Sequence, residues 1–276
     1  MSRILTKRDS STALHTLDFQ CPGFVEPRIL KRILKYAVSH NVQQLQISVR
    51  CDIQHFTSRF FSCQTLTSLD LFVGHKNFDQ KTLFPYSLHL PALTSLSIKC
   101  FAFRVGDNGC TEPFSDFKKL NSLIIDCCIA LDAENLHISS VTLVNLTIIT
   151  PRVVPRNYRK IKLSTTSLCC FEYNGIPYQK LSGSQLCSVE HLNIDANVHW
   201  NWTYADLDWM HANLLVFLSW LLELVDIKSF TITSTTLQVY FNRVYVSMLQ
   251  NFNYSGQICI KLIMIHYHPS LLRFST

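Results

Sequence analysis

The sequence predicts an α/β solenoid: a curved parallel sheet on one side and an irregular convex side with a few helices on the other. Three observations predict it. A six-residue unit with apolar positions one, four and six recurs nine times in 276 residues. The copies follow one another at nearly constant steps. Finally, the connections between them are too short, or too rich in Pro, Ser and Phe, for long helices.

The units read LHTLDF (14–19), VQQLQI (42–47), LTSLDL (66–71), LTSLSI (93–98) and LNSLII (120–125). They continue as LVNLTI (143–148), LCCFEY (168–173), VEHLNI (189–194) and IKSFTI (227–232). The steps are 28, 24, 27, 27, 23, 25, 21 and 38 residues. All but the last match a leucine-rich repeat of about 20–29 residues. Residues 1–236 therefore read as a leucine-rich-repeat solenoid and 237–276 as a divergent C-terminal tail or cap.

Positions four and six alternate, so on a strand both point to one side, into a core. Position one turns inward just before the strand. A single unit cannot bury its apolar face, but stacked neighbours can. The Asn or Cys expected three residues after position six is kept at Cys128 and Asn197 and drifts at Cys21, Cys51 and Cys100, which predicts uneven curvature. A parallel β-helix shares the period, but its tight corners usually need far more Gly and Asn than this chain offers, with 7 Gly.

One helix is clear between strands, from Glu26 to His40. Pro27 suits its first turn, and Ile29, Leu30, Ile33, Leu34, Ala37 and Val38 form a stripe opposite Lys31, Arg32 and Lys35. The 38-residue step holds all 4 Trp. Within it, Ala212–Val225 reads as a buried helix. Trp200 and Trp202 precede it as rim anchors for a partner, or as residues that fold back and seal the flank.

Composition narrows the function. At 47% apolar residues the chain can offset its ordering entropy, so it is not disordered. The net charge of +6 is spread along the chain, so no nucleic-acid partner is expected. No apolar stretch is long enough for a membrane span and no secretory signal opens the chain, which predicts an intracellular protein. Eleven Cys without C-x-x-C predict neither a metal site nor disulfides. No hydrolase, metalloprotease or nucleotide-binding motif occurs, and no cofactor or catalysis is expected.

What remains is a surface. In this solenoid the residues flanking and between positions four and six line the concave side. The candidate binding residues are Asp18, Gln46, Asp70, Phe72, Ser97, Lys99, Ile124, Asp126, Thr147, Glu172, His191, Asn193 and Asp195. Its charged members are five acids against Lys99 alone, so a protein target with a basic or hydrogen-bond-donating segment is expected. The sheet offers only about 400 Å², half of what one side of a standard interface takes. A loop rim, 106–114 or 199–208, is expected to add to it.

Four stretches, LKYAVSHNVQQLQI (34–47), FFSCQTLTSLDL (60–71), LPALTSLSI (90–98) and FKKLNSLIIDCC (117–128), resemble the repeat region of plant F-box/leucine-rich-repeat proteins of the kind that carry an FBD domain. In that family an N-terminal F-box docks on the Skp-type adaptor of a cullin–RING ubiquitin ligase, and the repeats select the target. The resemblance runs from about Leu14 to Leu237. It implies a non-catalytic target-recognition module. Here the chain opens on the first repeat with no F-box, which puts adaptor docking in doubt. A scaffold, decoy or truncated product without a ubiquitin-ligase role is the alternative.

Overall fold

The structure, a computed structural model, describes residues 14–53, 63–75, 80–85, 88–106, 109–150, 159–175, 177–183, 186–195, 215–224, 227–233 and 259–263. The nine units each form a strand. They are β1 (Thr16–Phe24), β2 (Gln44–Arg50), β3 (Ser68–Gly74), β5 (Ser95–Lys99), β8 (Ser122–Asp126), β11 (Asn145–Ile149), β13 (Cys170–Asn174), β15 (His191–Asp195) and β16 (Ser229–Thr233). They pair in chain order, all parallel, in a sheet completed by a tenth strand, β17 (Cys259–Ile263).

Register keeps like positions together. The fourth positions stand in one row, Leu17–Leu45–Leu69–Leu96–Leu123–Leu146–Phe171–Leu192–Phe230. The sixth positions, from Phe19 to Ile232, are all buried, as are the first positions from Val42 to Ile227. Burying each such side chain contributes about 1.5–3 kcal/mol, which is why the pattern is so regular.

The rungs are clamped before each strand begins. The position-two carbonyl of one rung accepts two N–H bonds, from positions two and three of the next. His15 O accepts from Gln43 and Gln44, Gln43 O from Thr67 and Ser68, and the pattern repeats through Glu190 O, which accepts from Lys228 and Ser229. Hydroxyls beside position one reinforce the clamp: Thr67 Oγ1 donates to Gln43 O at 3.0 Å, Thr94 Oγ1 to Thr67 O at 3.1 Å, and Thr142 Oγ1 to Leu120 O at 2.8 Å. These bonds satisfy backbone carbonyls at the strand entrance.

The other side differs from the irregular, helix-bearing surface the sequence predicts, because it too is largely sheet. One parallel sheet has the order β14 (Lys180–Gly183), β12 (Lys160–Ser164), β10 (Asn135–Ser139), β7 (Cys110–Thr111). A second has the order β4 (Thr82–Leu83), β6 (Phe101–Arg104), β9 (Ile129–Leu131). Their inward residues, such as Phe101, Leu136, Ile138, Ile161 and Leu163, join the position-one, -four and -six residues in one core. The short apolar alternations NLHIS and KIKLS build these strands.

The helix α1 (Pro27–Ser39) starts at Pro27 and buries Leu30, Ile33, Leu34 and Ala37. Asn41, at φ 51, ends it: Asn41 N–H donates to Val38 O and Val42 N–H to Ala37 O, both at 3.2 Å. That reciprocal pair satisfies the last carbonyls and turns the chain into β2. A second helix, α2, spans 215–223. It is amphipathic rather than wholly buried, with Phe217, Trp220 and Leu221 inside and Leu215 and Leu222 exposed.

Trp220 fixes this helix. It stacks on Phe171 at 5.6 Å and meets Tyr173 edge-on at 4.8 Å, while its Nε1–H donates to Gln179 O at 2.8 Å. The bulky rung FEY at 171–173 thus packs against an indole.

Candidate functional site

The outer face of the main sheet carries every candidate position from Asp18 to Asp195, because strand alternation that buries positions four and six leaves three, five and seven outward. Row three is uncharged and polar along most of its length: Thr16, Gln44, Ser68, Ser95, Ser122, Asn145, Cys170, His191 and Ser229. Row five runs Asp18, Gln46, Asp70, Ser97, Ile124, Thr147, Glu172, Asn193, Thr231 in the same register.

The acids are held in different ways. Lys99 Nζ lies 2.6 Å from Asp126 and 5.9 Å from the centroid of the Phe72 ring, so this cation is already paired within the face. The Asp126 hydrogen bond pushes the Lys99 pKa upward. Glu172 accepts from Thr147 Oγ1 at 3.4 Å and Asn174 Nδ2 at 3.2 Å. Asp195 accepts from Thr233 Oγ1 at 2.9 Å, and Asp18 from Gln20 Nε2 at 3.1 Å. Asp70 takes no part in these pairs. With Asp126 offset by Lys99, the four acids Asp18, Asp70, Glu172 and Asp195 outnumber Arg50 of β2 and Lys261 of β17, so the described face stays net negative.

The predicted rims fare unequally. Trp200, Trp202 and the stretch 199–208 lie outside the described residues, as does Asn197. In the other rim, Phe114 is not a contact residue: it is fully buried against Phe84 and Phe103, in a cluster that fills the solenoid between its sheets.

The back sheet holds a local cluster of bases, next to Glu112 and Glu134. Arg159, Lys160, Lys162 and Lys180 sit on or beside β12 and β14, with Lys160 in register with Lys180. Coiling brings Lys160 and Lys162 of one strand beside Lys180 of the next.

Coiling also assembles a polar link across three strands that no spacing announces. His137 Nδ1 lies 2.8 Å from Glu112 and its Nε2 lies 2.9 Å from Ser164 Oγ. Burial lowers the His137 pKa, with Lys162 adding to the shift and Glu112 opposing it. The neutral ring donates from Nδ1 to the carboxylate and accepts the serine proton at Nε2, which stitches β10 to β12 and to the segment after β7.

The thiols are subdued. Burial pushes Cys51 up to about 11 and Cys127 up to about 12, and raises Cys128 further still. Protonated thiols are poor nucleophiles. Cys128, at the ladder position the sequence singles out, donates its Sγ–H to Ile98 O at 3.5 Å and so bonds one rung to the previous one. Cys100 and Cys127, two residues after position six, adopt φ of 65 and 51 where the chain leaves the strand.

Comparison of the chain with family models, with curated proteins and with solved structures gives no match. Among the described residues no helix is long and apolar enough to cross a membrane.

Proposed function

We propose that this solenoid is a non-catalytic protein-recognition module of the leucine-rich-repeat kind, and that the outer face of its main sheet binds an extended basic segment of a target protein. The observation that carries this reading is the placement of Asp18, Asp70, Glu172 and Asp195 on one face, where Lys99 is neutralised by Asp126 and the other described cations are Arg50 on β2 and Lys261 on β17. Ten strands about 4.8 Å apart make a stripe of roughly 43 Å. A chain of about thirteen extended residues matches that length.

The resemblance to plant F-box/leucine-rich-repeat proteins supports assigning this segment to the target-selecting part of a ubiquitin-ligase subunit in the cytoplasm or nucleus. A scaffold with no ubiquitin role is the alternative. Purified Skp-type adaptor separates the two readings: direct binding to the full chain supports the ligase assignment, and no binding supports the scaffold.

The surface itself is tested with a fluorescein-labelled thirteen-residue Lys/Arg-rich peptide and its Asp/Glu-rich counterpart. The basic peptide should bind, with affinity falling as salt rises. The triple variant Asp18→Lys, Asp70→Lys, Glu172→Lys should lose at least tenfold. Equal binding of both peptides, or unchanged affinity in the triple variant, overturns the proposal.

A further inference from the structure

A second group of donors gathers at the entrance to two neighbouring strands. Cys169 and Cys170 stand at positions two and three of one rung, and Glu190 and His191 at positions two and three of the next. The step between these rungs is 21 residues, the shortest in the chain. Cys170 is in register with His191, and the N–H groups of Glu190 and His191 both donate to the Cys169 carbonyl at 2.9 Å. The backbone beneath the cluster is therefore pinned.

Above it, the Cys169 Sγ, a Glu190 carboxylate oxygen and a His191 ring nitrogen all lie within 4.8 Å of one another. Cys170, the next residue along, offers a second thiol at position three of the same rung. Cys169 and Glu190 are half-buried and His191 is exposed, so the cluster is open to solvent from the sheet face.

We propose that Cys169, Glu190 and His191, with Cys170 beside them, form a binding site for a borderline-soft divalent metal ion of the Zn²⁺ class. The donor set selects the ion. Thiolate and imidazole favour zinc and its neighbours, whereas calcium and magnesium want oxygen ligands. Zinc–sulfur bonds of about 2.3 Å and zinc–nitrogen bonds of about 2.0 Å put tetrahedral donors roughly 3.5 Å apart. The side chains then close by about 1 Å, a rotamer adjustment at the surface that leaves the clamped backbone in place. On binding, Cys169 releases its thiol proton to solvent.

Lys228 competes for the same ground. Its Nζ sits 2.6 Å from Glu190 Oε1, at position two of the following rung. The ammonium holds the carboxylate in place but repels a dication, so metal affinity is set against this ion pair. The site tethers consecutive rungs, and bound metal stabilises the fold by mass action.

The test uses the full-length chain, reduced, with Co²⁺ as a spectroscopic probe and Zn²⁺ in competition against a chelating dye. Co²⁺ should give a thiolate-to-metal charge-transfer band with the visible spectrum of a tetrahedral ion, and Zn²⁺ should displace it. His191→Ala and Cys169→Ser should each weaken Zn²⁺ binding at least tenfold, while Lys228→Met should tighten it. Zn²⁺ should raise the wild-type Tm and leave that of His191→Ala unmoved. Absence of the charge-transfer band, or Zn²⁺ affinity unchanged in His191→Ala, overturns the proposal. His191 lies on the surface, so that variant is expected to fold and its result stands even where Cys169→Ser does not. The outcome is separate from the basic-peptide test, whose three substitutions leave this cluster intact.

Discussion

At the scale of single residues, two positions show how much this fold asks of its corners. Gly175 leaves β13 at φ 139, and a Cβ there would collide with the Thr150 hydroxyl of the previous rung. Gly175→Ala should therefore destabilise the protein by about 1–3 kcal/mol, measured by urea unfolding. Pairing it with Thr150→Ala should recover only part of the loss, because removing the hydroxyl relieves the collision and leaves the backbone strain. Full recovery in the double variant would show that the torsion carries no cost.

His137 gives a pH dependence with a defined sign. Its folded pKa lies below the ordinary 6.5, chiefly because burial disfavours the imidazolium. Above 6.5 the ring is neutral in folded and unfolded chains alike, and stability is at its full value. As pH falls below 6.5 the unfolded chain takes up the proton first, so stability is lost through the folded pKa. Urea midpoints measured from pH 7.5 to 5 should decline less steeply in His137→Gln than in the wild type. Identical slopes would remove His137 from the acid response.

At the scale of elements, α2 depends on one side chain. Trp220 is fully buried, stacked on Phe171 and hydrogen-bonded to Gln179 O. Trp220→Ala empties that space and leaves a buried carbonyl unpaired, a loss of about 3–5 kcal/mol. Circular dichroism should show helix 215–223 melting, and the Tm should fall. Retention of both would place the helix's anchorage elsewhere.

The main strands and α1 were legible because their apolar positions recur with fixed spacing and each buries on one face. Leu69, Leu96 and Leu123 fall in one buried row as that spacing requires. The strands of the back sheets escape such reading. They are two to five residues long, have no leading position-one leucine, and the two apolar residues in NLHIS or KIKLS suit many conformations. Helix α2 was legible in type, but Leu215 and Leu222 made a one-faced helix read as an all-round apolar one.

At the scale of the whole molecule, the outward rows of the candidate surface were readable from alternation alone, whereas contacts between rungs were not. Cys169 and Glu190 lie 21 residues apart in a chain whose steps vary from 21 to 38, so no fixed motif spacing reveals that they touch. The same holds for Glu112, His137 and Ser164. Adding the local rung step to each residue number would have aligned Cys169 with Glu190 and Cys170 with His191. The clustering of Lys160, Lys162 and Lys180 on the back sheet likewise emerges only after coiling, since it is a property of register rather than of composition.

The doubly occupied carbonyl at each strand entrance makes the chain modular. Because every rung takes the same pair of entrance bonds from the oxygen of its predecessor, cutting out Val144–Leu168 removes β11 and β12 together and delivers Cys169 and Cys170 to the Asn121 oxygen that Val144 and Asn145 vacate. Such a shortened protein should still melt cooperatively, whereas excising 144–156 alone, half a coil, should abolish the transition. Evolution could thus lengthen or trim this molecule by whole coils, as beads are added to a string, without redesigning what lies on either side.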